Sequence, residues 1–231
     1  GRIGLNVVAG WNKPEYDAFG VDLPSDHSDR YAMAQEWFEY VQKLWTCDTA
    51  FDWEGNFYQG KGVYSLPHPV QPKMPIINAA GSEEGRVFAM RNADFLFTPV
   101  FDFDQAKATV VDITERAASV KRKVDVLTLC TVVCRPTQQE ADDYLHWYAD
   151  EQADWGAVDN LMTLQGMHAQ SFTPEALALY RDRMAAGHGG FPLVGTPDAI
   201  ADLLEKLSET GIAGTTLAFV DYAKEFPYFR Q

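Results

Sequence analysis

Leu5 to Ala9 is an apolar, β-branched run closed by Gly10, the pattern of a strand buried on both faces. Polar and turn-forming residues follow, through Pro14, Gly20 and Pro24. From Ser28, which can cap, a helix is predicted, because Tyr31, Ala34, Phe38, Val41 and Trp45 recur at spacings of three and four. Phe51 to Tyr64 alternates aromatic and polar residues around Gly55, Gly60 and Gly62, which predicts a hairpin-like excursion of short strands. Pro75 to Ala80 reads as a second buried strand, and Ser82 as the cap of a helix carrying Val87, Phe88 and Met90. Asp94 to Phe97 is a third strand, Gln105 to Val120 a helix, and Val124 to Cys134 a fourth strand. Helical stretches rich in Trp, Met and His fill Gln138 to Ala186 as an insertion. Thr196-Pro197 then caps a helix with the stripe Ile200, Leu203, Leu204 and Leu207, and Gly214 to Val220 is a fifth strand.

Strands and helices alternate and the strands are apolar throughout, which predicts an α/β fold with a parallel sheet. The spacing fits part of a (β/α)8 TIM-type barrel better than a doubly wound sheet, and the 231 residues are expected to form one domain, 1–231.

Charge narrows the partners. Acidic residues outnumber basic ones 33 to 19, a net charge of −14, which argues against nucleic acid or an anionic membrane surface. No apolar run approaches the roughly 20 residues of a membrane span, and Gly1 to Gly10 lacks a signal-peptide layout, so a cytoplasmic protein is expected. Cys47, Cys130 and Cys134 form no CxxC pair, and the five histidines show no HxH or HxxxH spacing; neither a disulfide framework nor a metal site is expected.

Gly81-Ser82-Glu83-Glu84-Gly85 lies where a strand ends and a helix begins, the edge at which α/β folds bind ligands. It reads either as a phosphate site or as an ordinary turn, and Glu83 and Glu84 put negative charge where a phosphate would sit. Arg30 and Tyr31, in the first turn of the first long helix, either face the same edge or are a solvated charge and a core ring. Asn6, an amide inside an apolar strand, either bonds neighbouring backbone or faces a ligand. Glu15 falls on a loop at the same end. Gly55 to Lys61 matches GxxxxGK by spacing, but Gly62 replaces the magnesium-binding hydroxyl and the flanks are extended, so it is no P-loop. Ala80-Gly81-Ser82 fails the GxSxG pattern.

Together, Gly1-Arg2-Ile3-Gly4-Leu5-Asn6-Val7-Val8-Ala9-Gly10-Trp11, His27-Ser28-Asp29-Arg30-Tyr31, Asn78-Ala79-Ala80-Gly81-Ser82 with Gly85-Arg86, and Pro192-Leu193-Val194-Gly195-Thr196-Pro197 resemble, in order, the luciferase-like FMN-dependent monooxygenases. That family includes alkanesulfonate, long-chain alkane and pyrimidine monooxygenases, and Trp11 to Tyr16 looks closest to the pyrimidine branch. The resemblance implies that Asn6 and Glu15 approach the flavin, that Arg30 and Tyr31 lie on its side of the helix, that Ser82 binds the FMN phosphate, and that His27 contacts the flavin. It designates no catalytic base. It covers what resembles strands four to eight, since family members begin with three further strands.

The implied activity uses reduced FMN, supplied by a separate NAD(P)H-dependent flavin reductase, and O2 to oxygenate a small organic substrate. Trp155 to Phe191, with the paired Gly189 and Gly190, is the expected cover over the site. A homo-oligomer is expected because open strand edges need covering. Two other activities fit the same residues: a flavin or deazaflavin oxidoreductase without oxygen transfer, and a non-catalytic flavin-binding or partner protein.

Overall fold

A computed structural model describes residues 3–166 and 173–230. The Gly1-Arg2 pair and residues 167–172, which include His168 and the middle of the expected cover, lie outside the described residues. The chain divides into two compact units, one of residues 1–96 and 116–124, the other of residues 97–115 and 125–231.

In the first unit, β1 (Leu5–Val7) pairs in parallel with β4 (Ile76–Ala79), with Asn6 opposite Ile77 and Val7 opposite Asn78. β5 (Phe95–Phe97) is next in the sheet order. Alternation puts Val7, Ile76, Asn78 and Ala80 on the buried face, and Asn6 and Val8 on the exposed one. Between β1 and β4 come α1 (Lys13–Ala18), α2 (His27–Thr46) and the antiparallel hairpin of β2 (Phe51–Glu54) and β3 (Gln59–Val63). α2 buries Ala34 and Phe38, and the Phe38 ring meets Phe88 of α3 (Glu83–Asn92) edge-on at 6.2 Å. Each buried Phe contributes roughly 1.5 to 3 kcal/mol.

α4 (Phe103–Ser119) carries the chain across the division. In the second unit, β6 (Asp125–Cys134) pairs in parallel with both β7 (Phe191–Gly195) and β8 (Gly214–Ala218). Between β6 and β7 lie α5 (Gln138–His146), a π-helical turn (Trp147–Glu151), α6 (Trp155–Leu164) and α7 (Pro174–Gly187). α6 and α7 join through Val158, Met162, Tyr180 and Met184. α8 (Pro197–Glu209) starts at the Thr196 cap and buries Ile200 and Leu207 of its expected stripe, and α9 (Tyr222–Phe229) closes the described chain.

The α/β class, the parallel strands and the hairpin are as expected, and four details differ. The cap of α2 is Asp26, whose carboxylate accepts the Ser28 amide at 2.7 Å, so Ser28 lies inside the helix and His27 is its first residue. Lys13–Ala18 is a helix and not a loop, begun by Pro14 in its first turn. Phe191–Gly195 is a strand that its Pro192 disguises; proline is tolerated where no partner takes its amide. α9 forms despite Pro227 because Asp221 caps the Ala223 and Lys224 amides.

Candidate functional site

The turn from β4 into α3 is built by Ser82, which is extended (φ −81°, ψ 162°) while its Oγ accepts the Gly85 amide at 3.2 Å. Its carbonyl accepts the Arg86 amide at 3.0 Å. The amides of Glu83 and Glu84 are first-turn donors with no helical carbonyl upstream, so they face outward at the positive end of the helix dipole. A Cβ built on Gly81 meets no atom within 4 Å, so the backbone beside these amides is open to a ligand. The first-turn acids do not both crowd this position. Glu83 is drawn aside by a two-pronged pair with Arg116, which holds its carboxyl below the usual range.

Tyr31 stands beside this turn. Burial raises its phenol pKa, opposed by hydrogen bonds from Asn78 and Ser82, while the charge of Glu84 adds to the rise. The ring can come this close because residue 85 is glycine: a Cβ there would lie 2.5 Å from the Tyr31 hydroxyl and 2.3 Å from Ala80 Cβ. Asn78, fully buried, donates Nδ2–H to the Val7 carbonyl at 2.7 Å, and its Oδ1 has no hydrogen-bond partner among the described residues.

Arg30 turns toward the loop after β1. Its Nε donates to the Pro24 carbonyl at 2.5 Å, Nη2 to Ser25 at 3.3 Å and Nη1 to Gly10 at 3.5 Å, which commits three of five donors to backbone. Its visible task is to shape the 10–25 segment that carries Glu15. Glu15, in the first turn of α1, and His27, at the start of α2, are exposed, and Asn6 points to the exposed face of β1. All six residues singled out in the sequence therefore lie in the first unit, with the Tyr31 hydroxyl beside Gly85 in the first turn of the helix that Ser82 caps. Asn78 is a site residue that sequence reasoning missed. The argument applied to Asn6, an amide within an apolar strand, holds more strongly for Asn78, because Asn6 is solvent-facing and Asn78 is not.

The second unit holds a cavity of about 440 Å³ between β6, β7 and the helices joining them. Leu145, Trp155, Leu179, Pro192 and Val194 give it an apolar lining. His146, Asp150 and Asp182 line it as exposed groups, and Nδ1 of His146 lies 3.1 Å from Asp150. Arg183, also lining it, donates to the Val100 and Phe101 carbonyls at 3.2 and 2.7 Å, and burial lowers its pKa. Such a cavity is of the size that takes small organic molecules. Among the described residues no three His, Cys, Asp or Glu converge on a metal position.

Residues 1–214 match the family model described as luciferase-like monooxygenase. The chain is 30% identical over 238 residues to an FMNH(2)-dependent dimethylsulfone monooxygenase of Pseudomonas fluorescens, covering all of this chain and 64% of that protein. It is 29% identical over 240 residues to the pyrimidine monooxygenase RutA of a Bradyrhizobium strain, covering 65% of it. Among solved structures, long-chain alkane monooxygenase (LadA) superposes with a TM-score of 0.78 at 24% identity, covering the whole chain and 60% of LadA. That likeness gives the chain the barrel-type α/β fold expected from its sequence. The chain spans less than two thirds of the length of these relatives.

Proposed function

Because the chain belongs to the luciferase-like monooxygenase family, we propose that it acts, with FMN, as a flavin-dependent monooxygenase that oxygenates a small organic substrate. The observation that carries this reading is the α3 N-terminus: an open backbone at Gly81, two outward amides, and the hydroxyls of Ser82 and Tyr31 beside them. These groups fit a phosphate monoester, which takes several N–H and O–H donors at a helix N-terminus.

In this reading Ser82, the Glu83 and Glu84 amides and Tyr31 hold the FMN phosphate, and the helix dipole supports its charge. Arg116 removes the Glu83 carboxylate from competition. Arg30 fixes the loop that brings Glu15 toward the flavin, while Asn6 and His27 offer further polar contacts. When bound, reduced FMN supplies the electrons with which O2 is activated; the chain binds, orients and shields. α6 and α7, part of the Trp155 to Phe191 segment expected to cover the site, line the cavity of the second unit. Both units are taken as parts of one luciferase-like domain. Reduced FMN comes from an NAD(P)H-dependent flavin reductase, which places the protein in the cytoplasm, and it works as a homo-oligomer.

The test is a fluorescence titration with oxidised and anaerobically reduced FMN, for the wild type and Ser82→Ala. Binding that weakens about tenfold in the variant, the cost of one charge-assisted hydrogen bond, supports the reading. A folded chain that binds neither form overturns it.

A further inference from the structure

The cavity of the second unit has an apolar body and an acidic edge. Leu145, Trp155, Leu179, Pro192 and Val194 supply apolar surface enough to hold a hydrocarbon ring or branched chain. α5, running on into the π-helical turn, brings His146 and Asp150 to the lining, and α7 brings Asp182. Among the described residues Asp182 has no hydrogen bond or ion pair. The arginine next to it, Arg181, is committed elsewhere: it donates twice to Asp159, at 2.6 and 3.0 Å, and lies 4.2 Å from the Trp155 ring centre. The Asp150 carboxylate meets His146 at 3.1 Å, and His146 is shared with Glu151 at 3.5 Å.

The donors that an anion would need are already engaged. The Thr131 hydroxyl donates to the Gly187 carbonyl at 3.2 Å, and so does the Gly190 amide. The Arg183 guanidinium donates to the Val100 and Phe101 carbonyls and lies 5.6 and 5.9 Å from the Phe101 and Phe191 ring centres. Carboxylates at the edge of an apolar, partly aromatic cavity whose donors are turned elsewhere favour a positively charged ligand. We infer that this cavity binds a small organic cation, an ammonium on an aromatic or branched alkyl body, with the body against Trp155, Leu179 and Val194 and the charge at Asp150 and Asp182. The α3 N-terminus and its phosphate reading play no part in this binding.

The experiment is isothermal titration calorimetry of the whole chain at low ionic strength and about pH 8, where imidazole is neutral. Three ligands of one shape and different charge are compared: benzylammonium, benzyl alcohol and benzoate. Benzylammonium is expected to bind about tenfold more tightly than benzyl alcohol, and benzoate more weakly than both. Asp150→Asn and Asp182→Asn are each expected to lower benzylammonium affinity about threefold, the size of one exposed ion pair, and together to erase its preference over benzyl alcohol. Both acids are exposed, so the variants keep the fold. The preference is also expected to shrink in about 0.3 M salt. Leu179→Trp, which fills the cavity from an exposed position, is expected to abolish binding of all three. A folded chain that binds none of the three, equal affinities, or tightest binding of benzoate would overturn the proposal. So would a preference for benzylammonium that survives the double Asn variant, or binding that Leu179→Trp leaves intact.

Discussion

Side chains around the β4–α3 turn do different work from what their type suggests. Arg30 is the obvious cation for a phosphate, yet it spends its donors on the Pro24, Ser25 and Gly10 carbonyls. Glu83 is the obvious obstacle, yet Arg116 turns it away. Neither outcome is visible in the sequence, because the partners lie 33 residues off in one case and are backbone atoms in the other. Ser82 was legible, since a hydroxyl before a helical run is a cap whatever the fold. Gly85 looks like a poor helix residue in the sequence and is a necessary one in the structure. Gly85→Ala is expected to lose FMN binding and about 1 to 3 kcal/mol of stability, from the collision of its Cβ with Ala80 and the Tyr31 hydroxyl. Urea melts with a flavin titration check both; an unchanged midpoint and affinity would show that the contact relaxes freely.

Among the elements, the long amphipathic helices, the hairpin and the strands β1, β4, β5, β6 and β8 are legible in the sequence, and three short elements are not. α2 and α8 carry apolar residues at three- and four-residue spacing over several turns, a signal that survives noise. α1, β7 and α9 are short and each contains a proline, so their existence depends on caps and on neighbours that periodicity does not report. The hairpin is another case of remote support. One carboxylate, Glu36 of α2, accepts from the Asn56, Phe57 and Tyr58 amides at 2.8 to 3.2 Å and from Trp53 Nε1 at 3.3 Å. Burial alone would raise its pKa, and these donors together hold it below the usual range. Glu36→Ala is expected to speed amide exchange at residues 56–58 by tenfold or more, on the order of one lost hydrogen bond each, while amides in α3 keep their protection. Unchanged exchange at the turn would mean the hairpin stands without its anchor.

For the whole molecule, the α/β alternation is legible from the apolar runs and helical stripes and the family from four dispersed motifs, while the division into two compact units is not. The second unit ties α9 through a pair whose acid is buried and whose cation is half-buried: Glu225 accepts from Arg135 at 2.7 Å, and the Arg135 guanidinium lies 3.9 Å from the Tyr144 ring centre. Arg135→Ala strands the Glu225 charge and is expected to cost about 3 to 5 kcal/mol; a loss under 1 kcal/mol in a denaturant titration would show that α9 does not depend on it.

Stability should also fall in alkali. Burial raises the phenols of Tyr31, Tyr148 and Tyr180 and the Cys130 thiol above their unfolded values. The folded state therefore keeps protons that the unfolded chain releases, so this contribution is complete below the unfolded pKa values, about 8.5 for Cys and 10 for Tyr, and is lost as pH rises through the folded ones. At the acid end Asp94, which burial would raise but Lys73 and the Ile76 amide lower, stabilises above about pH 4 and ceases to do so as pH falls through its folded pKa. Thermal melts from pH 3 to 11 check both limbs; a midpoint that holds constant above pH 9 would contradict the alkaline one.

The central claim is that FMN is held by its phosphate at the start of α3. The most direct measurement is a ³¹P NMR titration of FMN with the wild-type chain and with Ser82→Ala. The expected result is a phosphate resonance that shifts and broadens with wild type and moves far less with the variant. A resonance unmoved by a folded wild-type chain, or moved equally by both, would contradict the account.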